Sequence, residues 1–417
     1  MPKRVSTSPL SIDSYRSDAG DEAIDEIKSL ANHLSGARIL HVNSTSYGGG
    51  VAEILHTIIP LLRDLGIHAD WQVISGNEAF FQVTKSMHHA MQGMDIPWNQ
   101  EMIETWMECN RDNARTIGDN YDFIYIHDPQ PAGLKYFVRE QMGNQGTAKW
   151  LWRCHLDTTE ANVQVWDFLK QYVQDYDAAI FTLPEYVREP LAGPVCSSIP
   201  PAIDPISPKN RPMSDEQIAQ ILLRFDIDTE RPILSQISRF DPWKDPLGVV
   251  DVYRILKKEY RNLQLVMIAS MAHDDPEGWT IYEQLIQKAG ADADIHVLTN
   301  FDGIDSVEVN AIQRASTVVM QKSIREGFGL VISEALWKNK AMVGSQAGGI
   351  PLQMDFGRVG RIASTTQQFA EAVSDLLDKP QVRASLGLAA REHVREHFLS
   401  TRLLSDHLRL LRALDGN

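Results

Sequence analysis

Continuous apolar runs alternate with segments of helical periodicity along almost the whole chain. The stretch ARILHVN, 37–43, reads as a buried strand. A glycine turn follows, then AEILHTIIPLLRDLG, in which Ile54, Leu55, Ile58, Leu61, Leu62 and Leu65 recur at helical spacing and Gly66 stands where a C-terminal cap belongs. DFIYIHD (122–128), WLWRCHLD (150–157) and AAIFTLP (178–184) are further strands. Their continuous apolar character predicts a parallel sheet covered on both faces. Residues 194–215 hold six prolines without periodicity and predict an interdomain linker. A second series follows, with strands PILSQISRF (232–240), LQLVMIAS (263–270), IHVLTN (295–300), TVVMQKS (317–323) and KAMVGSQ (340–346). The fold class expected is α/β, with two doubly wound domains over 1–205 and 206–397 and an interdomain cleft at the C-terminal strand ends. A closing helix within 398–417, striped by Leu403, Leu404, Leu408, Leu411 and Leu414, is expected to cross back to the first domain.

Composition narrows the partners. A length of 417 residues fits two or three domains, and 43% hydrophobic with 23% charged residues is that of a globular protein. A formal net charge of −15 excludes a nucleic-acid or anionic-membrane surface, which needs a broad basic field. Any anionic ligand must be held by locally focused donors. Cys109, Cys154 and Cys196 form no CxxC and indicate neither zinc site nor disulfide framework, which fits a reducing compartment. The N-terminal MPKRVSTSPLSIDSYR lacks the apolar core of a signal peptide, and no window reaches the ~18 apolar residues of a spanning helix. A cytoplasmic location is expected. The first ~30 residues are acidic and helix-prone and are assigned no chemistry.

Four constellations carry candidate chemistry. Gly48-Gly49-Gly50 stands between a strand and a helix, where bare amides at a helix N-terminus suit a phosphate or a sugar oxygen. A merely tight βα turn fits equally well. In SRFDPWKD, Arg239 and Lys244 leave a strand end, with Pro242 and Trp243 between them. A guanidinium fork and an ammonium together neutralise a diphosphate, whereas the loop taken alone also fits two solvated cations. In REGFGLVISEAL, Glu326 and Glu334 are separated by seven residues, Gly327 and Gly329 form a turn, and Leu330 starts a helix. An ionised carboxylate accepts from two neighbouring hydroxyls at once, so this pair suits a sugar and a ribose; a capping glutamate and an exposed one is the plain alternative. His155, in LWRCHLD, stands at a strand end, where it would bond a hydroxyl, carry a proton, or be a satisfied structural residue. HDPQPA (127–132) and MAHDDPEG (271–278) are further strand-end loops. His273, Asp274 and Asp275 are adjacent without a second cluster, so no metal site is expected.

Together, the two-domain plan, the glycines, Arg239 with Lys244, and Glu326-x7-Glu334 resemble the retaining nucleotide-sugar glycosyltransferases of family 4, with two Rossmann-like domains in the GT-B fold. HVNSTSYGGGVAEILH, HDPQPA, WLWRCHLD, SRFDPWKD, MAHDDPEGW and SIREGFGLVISEALWK look like the trehalose-forming group within it, from about residue 10 to the end. The resemblance implies transfer of glucose from a nucleoside diphosphate glucose, UDP- or ADP-glucose, to free glucose with retention, in a reversible reaction giving trehalose. It implies that Arg239 and Lys244 hold the donor diphosphate, helped by the amides of Gly49, Gly50 and the turn Gly327, Phe328, Gly329 and Leu330. Glu326 would take donor hydroxyls at C3 and C4, Glu334 the ribose hydroxyls, His155 the hexose O6, and the backbone at Leu298 and Thr299 the base. His155, Arg239, Lys244 and Glu326 are thus the expected catalytic set. Acceptor glucose would lie against the first domain near Asn43 and Ser44. No cofactor is required, Mg2+ is compatible but unindicated, and a homodimer stays open. After GGIP the chain reads LQMDFGRVGRI where family members more often carry an acidic D-G-x-x-G turn. A retaining trehalose phosphorylase, a GT-B sugar-nucleotide epimerase and a sugar-nucleotide-binding regulator without turnover remain as rival readings.

Overall fold

The computed structural model describes residues 3–118, 120–143, 147–189, 191–271 and 276–416, so His273, Asp274 and Asp275 lie outside the described residues. The chain divides into two compact units, Met1–Ala202 together with Ser400–Asn417, and Ile203–Leu399.

The first unit is built on strands β1 (Lys3–Arg4), β2 (Arg38–Asn43), β3 (His68–Val73), β4 (Phe123–His127), β5 (Lys149–Arg153), β6 (Ala178–Phe181) and β7 (Val195–Ser198). Their order is β1-β3-β2-β4-β5-β6-β7, with β1 antiparallel to β3 and the remaining pairs parallel. Three of these strands, β1, β3 and β7, depart from the sequence reading, β1 lying in the stretch read as helix-prone. In β3, His68 and Asp70 alternate with buried Ala69 and Trp71, so it is no continuous apolar run, yet it pairs with β2 over its full length. Strand β7 lies inside the proline-rich stretch expected to be linker. Pro194 and Pro200 bracket it without interrupting its pairing to β6, and an edge strand tolerates prolines at its ends.

The buried strands are also less uniform than their hydropathy implied. Leu40, Val42, Ile124, Ile126, Trp150 and Trp152 join a large apolar core on one face of the sheet. His41, Tyr125, His127 and Arg153 take the alternate positions, so a polar band is sealed on the other face. The helix Ser400–Asp415 covers this band: His407 stacks on Tyr125 with ring centroids 5.4 Å apart, and the helix packs against Asp21–Asn32 through its leucines. Between β2 and β3, helix Gly50–Asp64 buries Ile54, Leu55, Ile58, Leu61 and Leu62, and the chain leaves it through Gly66 at φ 82°.

The second unit has strands β8 (Ile233–Ile237), β9 (Gln264–Ala269), β10 (Ile295–Thr299), β11 (Val318–Gln321), β12 (Met342–Gly344) and β13 (Arg361–Ile362), all parallel, in the order β10-β9-β8-β11-β12-β13. Leu234, Leu265, Met267, Met320 and Val343 belong to one apolar cluster, while Ile233, Val266 and Ile268 belong to another, so both faces are covered. Because every strand points the same way, all βα loops leave from one edge of this sheet. The strand order reverses between β8 and β11, the position where open α/β sheets part their loops and take ligands.

Gly387 sits inside helix Pro380–His397, where glycine normally costs about 1 kcal/mol relative to alanine. A Cβ there would stand 2.0 Å from the backbone oxygen of Asn339. Overpacking therefore outweighs propensity, and Gly387→Ala is expected to lower stability by ~1–3 kcal/mol. A urea titration followed by circular dichroism checks it; a stabilised variant would contradict this packing.

Candidate active site

The loops leaving β8 and β11 are joined atom by atom. After β8, residues Pro242–Lys244 make one turn of 3-10 helix and end on Asp245 at φ 43° and ψ 51°. The Asp245 carboxylate caps helix Pro246–Lys257, accepting from the Gly248 amide at 3.0 Å, and also pairs with the Lys322 ammonium at the end of β11. Gln236 Nε2 donates to Lys244 O at 2.8 Å, and Gln236 Oε1 accepts from the Lys322 amide at 2.8 Å. The Trp243 carbonyl accepts from the amides of Ile324 (2.7 Å) and Arg325 (3.3 Å).

This lacing brings Lys244 Nζ to 2.8 Å from Glu326 Oε1. Glu326 Oε2 accepts from Ser323 Oγ at 3.1 Å and Gln321 Nε2 at 3.3 Å. The two side chains are 14% and 9% exposed, so the pair is largely desolvated and removing either partner strands a charge. Gly329 closes the loop. It lies at φ 80°, and a Cβ on it would stand 3.0 Å from Glu326 Cδ, so both the backbone angle and the approach exclude a side chain. Helix Leu330–Trp337 starts there, and Phe328 is buried with its carbonyl accepting from Gln353 Nε2.

The other residues singled out from sequence are placed differently. Arg239 follows β8 but is 59% exposed and pairs with Asp241 at 3.1 Å. Glu334 is 2% exposed, within the helix that Gly329 opens. Its Oε1 lies 3.2 Å from Lys209 Nζ and its Oε2 accepts from Gln313 Nε2 at 3.3 Å, so it belongs to a network of its own. Leu298 and Thr299 end β10 on the same edge of the sheet, and the Thr299 hydroxyl caps the following turn at Phe301.

In the first unit, Gly49 and Gly50 are exposed at the start of the helix after β2, with Gly48 at φ 80°. Asn43 is committed to its own surroundings: Nδ2 donates to Thr45 O at 2.6 Å, and Oδ1 accepts from Trp71 Nε1 at 2.8 Å. Ser44 beside it is half-buried. His155 lies two residues beyond β5, and its amide donates to Asp128 Oδ1 at 2.8 Å. Asp128 itself has φ 67°, and burial pushes its carboxyl up to about 7. Sequence reasoning assigned no role to His41, Tyr125, His127, Arg153 or His407, which form a chain of contacts leading away from His155. His127 Nδ1 is 3.2 Å from His155 Nε2, His41 Nδ1 is 3.0 Å from His127 Nε2, and His41 stacks on Tyr125 at 4.6 Å. Arg153 is buried, with Nη2 donating to Ile199 O at 2.8 Å and Nη1 3.4 Å from His407 Nε2. Burial lowers its guanidinium to about 10. The missed signal was present as a period-two recurrence of polar residues, His41 with Asn43 and Tyr125 with His127, inside runs that are otherwise apolar. Among the described residues, no group of three or more His, Cys, Asp or Glu side chains is arranged to hold a metal, and no helix is long and apolar enough to cross a membrane.

The comparisons with known proteins agree with this architecture. Residues 41–188 match the family described as "Trehalose synthase, N-terminal domain", and residues 220–393 match "Glycosyl transferases group 1". The trehalose synthase of Rubrobacter xylanophilus is 47% identical over 420 residues, spanning 100% of both chains. The chain belongs to the trehalose synthase family. The trehalose phosphorylase of Pleurotus pulmonarius is only 26% identical, over 92% of this chain and 58% of that one. A solved Escherichia coli structure described as "Trehalose-6-phosphate … bound with UDP-2-fluoro glucose" superposes with a TM-score of 0.74 at 14% identity, covering 90% of this chain and 99% of that chain. At that identity it speaks for the fold alone, which is the GT-B glycosyltransferase fold.

The buried imidazoles set a pH dependence. Burial pushes His41 from 6.5 down to about 3 and holds His127, His155 and His407 well below their usual value. Below about pH 6.5 the unfolded chain takes up protons that the folded histidines refuse, so stability falls as pH falls, by ~1.4 kcal/mol per pH unit for each proton. Asp128 acts the other way between its ordinary 3.8 and about 7, but four histidines outweigh one carboxyl. The urea midpoint is expected to drop between pH 7.5 and pH 5.5, and to drop less in His41→Asn. A midpoint that held or rose would refute neutral burial.

Proposed function

We infer that this protein transfers glucose from a nucleoside diphosphate glucose to free glucose, releasing the nucleoside diphosphate and forming trehalose with retention at the transferred carbon. The observation that carries the reading is the 2.8 Å contact of Lys244 Nζ with Glu326 Oε1 at the strand reversal of the second unit. It sets a cation suited to a departing diphosphate beside a carboxylate suited to sugar hydroxyls. Family membership supports the trehalose product, since a relative that matches end to end is a trehalose synthase.

In this reading Lys244 and Arg239 neutralise the diphosphate as charge develops on it, and the turn Gly327 to Leu330 adds backbone donors. Glu326 orients the hexose through its hydroxyls, and His155 bonds a hexose oxygen. Glu334 and the β10 end at Leu298 and Thr299 take the nucleoside. The acceptor falls to the first unit.

Chromatographic product analysis with UDP-, ADP- and GDP-glucose plus glucose tests the reaction, alongside trehalose breakdown with inorganic phosphate or with UDP and ADP. Trehalose formation and nucleotide-dependent breakdown are expected. Breakdown with phosphate alone would assign the phosphorylase reaction, and consumption of donor without added glucose would point to an epimerase.

The pair itself makes two further demands. Lys244→Ala is expected to weaken UDP-glucose by ~2 kcal/mol or more, about 30-fold, as for a buried charged hydrogen bond. Glu326→Ala should lose most turnover yet bind UDP at least as well as the parent, because Lys244 is then released to the diphosphate. Calorimetry and initial rates measure both. Unchanged kinetics in Lys244→Ala would sink the diphosphate assignment.

A further inference from the structure

Three imidazoles of the first unit form a hydrogen-bonded row. His155 Nε2 lies 3.2 Å from His127 Nδ1, and His127 Nε2 lies 3.0 Å from His41 Nδ1. Neighbouring rings are nearly parallel, 19° between His127 and His155 and 24° between His41 and His127. Burial of His41 and His127 keeps them neutral, and desolvation likewise disfavours the charged form of the half-buried His155, so each ring carries one N–H and one lone pair.

Such a row closes in only two senses. In one, every ring is protonated at Nε2: His155 donates to His127, His127 to His41, and His41 is left with an N–H at its outer nitrogen. In the other, every ring is protonated at Nδ1: His41 donates to His127, His127 donates to His155, and the surplus N–H is on His155. The far end decides between them. His41 Nε2 is buried and has no hydrogen-bond partner among the described residues. The first sense seals an N–H there without an acceptor, whereas the second leaves only a lone pair. Orphaned buried N–H groups are the rarer and costlier of the two.

We propose that His41 and His127 are positioning residues that hold His155 as its Nδ1–H tautomer, so that His155 meets the sugar as a hydrogen-bond donor at Nδ1. The proposal deepens the reading that His155 contacts the substrate, and rests on it. Its Nε2 lone pair is already taken by His127. His155 therefore accepts no proton from the acceptor hydroxyl, and a base for that proton must be sought outside the row. The sequence left open a proton-carrying role for this histidine, and the row argues against it.

Two experiments test this. In protein labelled with 15N-histidine, two-bond nitrogen–proton correlation spectra at pH 7.5 are expected to show His41, His127 and His155 all protonated at Nδ1. An Nε2–H signal for His155 would overturn the proposal, whatever the variants do. The variants His41→Asn and His41→Asp are isosteric: the first keeps an N–H aimed at His127 Nε2, whereas the second presents an oxygen that reverses the row. The expected result is kcat at least ~10-fold lower in His41→Asp than in His41→Asn, with equal UDP affinity by calorimetry and with His155 switched to Nε2–H in the aspartate variant. Equal kcat in two folded variants whose His155 tautomers differ would overturn the functional half. His155→Ala separates this from the reading beneath it. If that variant kept full kcat while the parent spectrum showed Nδ1–H throughout, the substrate contact would fail and the tautomer assignment would stand.

Discussion

The contact between Lys244 and Glu326 is the constraint around which the second unit arranges its site. An ammonium and a carboxylate with little solvent are tolerated only when each is anchored by further bonds, and here the anchors come from both loops. Gln236 and Trp243 fix the loop after β8 to the loop after β11 through backbone groups, and Asp245 with Lys322 forms a second ion pair behind the first. Ser323 and Gln321 occupy the carboxylate oxygen that the lysine does not. Gly329 is then obligatory, because any side chain at that position would press on Glu326. The parallel sheet matters through its order: the reversal between β8 and β11 sets these two loops side by side at the strand ends, the place where open α/β sheets take ligands.

The first unit solves a different problem. Its sheet carries a polar band on one face, and burying that band is tolerable because its imidazoles stay neutral and bond one another. Imidazole suits this, since each ring is both donor and acceptor. The one permanent cation in the band, Arg153, is met by the carbonyl of Ile199 and by His407 from the closing helix. That helix is thus more than a hydrophobic lid. Its leucines pack against Asp21–Asn32, while its histidine completes the polar band. The acidic N-terminal stretch, to which no chemistry was assigned, supplies that packing surface.

What could be read from sequence, and what could not, follows from the range of the interactions. Strand and helix runs such as 37–43 and 263–270 were legible because burial on both faces leaves a local apolar signature. Strand β3 was not, because its polar residues alternate with the apolar ones, and β7 was hidden by the prolines on either side of it. The loops bearing Arg239, Lys244 and Glu326 stood out by residue type after a strand end. That Lys244 would pair with Glu326 did not, since the contact depends on β8 and β11 being adjacent across 81 residues of chain from Lys244 to Arg325. The imidazole row was illegible for the same reason: His41 and His127 lie 86 positions apart, and only the pairing of β2 with β4 makes them neighbours.

The two glutamates of the E-x7-E stretch show how surroundings divide one residue type into two tasks. Glu326 shares one oxygen with the Lys244 ammonium, and its other oxygen is met by Ser323 and Gln321. Glu334 is held more deeply. Lys209 and Gln313 take its carboxylate, and its carbonyl accepts from Lys338 Nζ, which also reaches Asn210 Oδ1 at 2.7 Å and Gln313 Oε1 at 2.6 Å. Lys209 and Asn210 belong to the first residues of the chain's course through the second unit. The helix that Gly329 opens is therefore tied to the point where the chain enters this unit. Such a tie keeps the helix start, and hence the turn around Glu326, in one register, so the buried glutamate sets the geometry within which the shallower one can act.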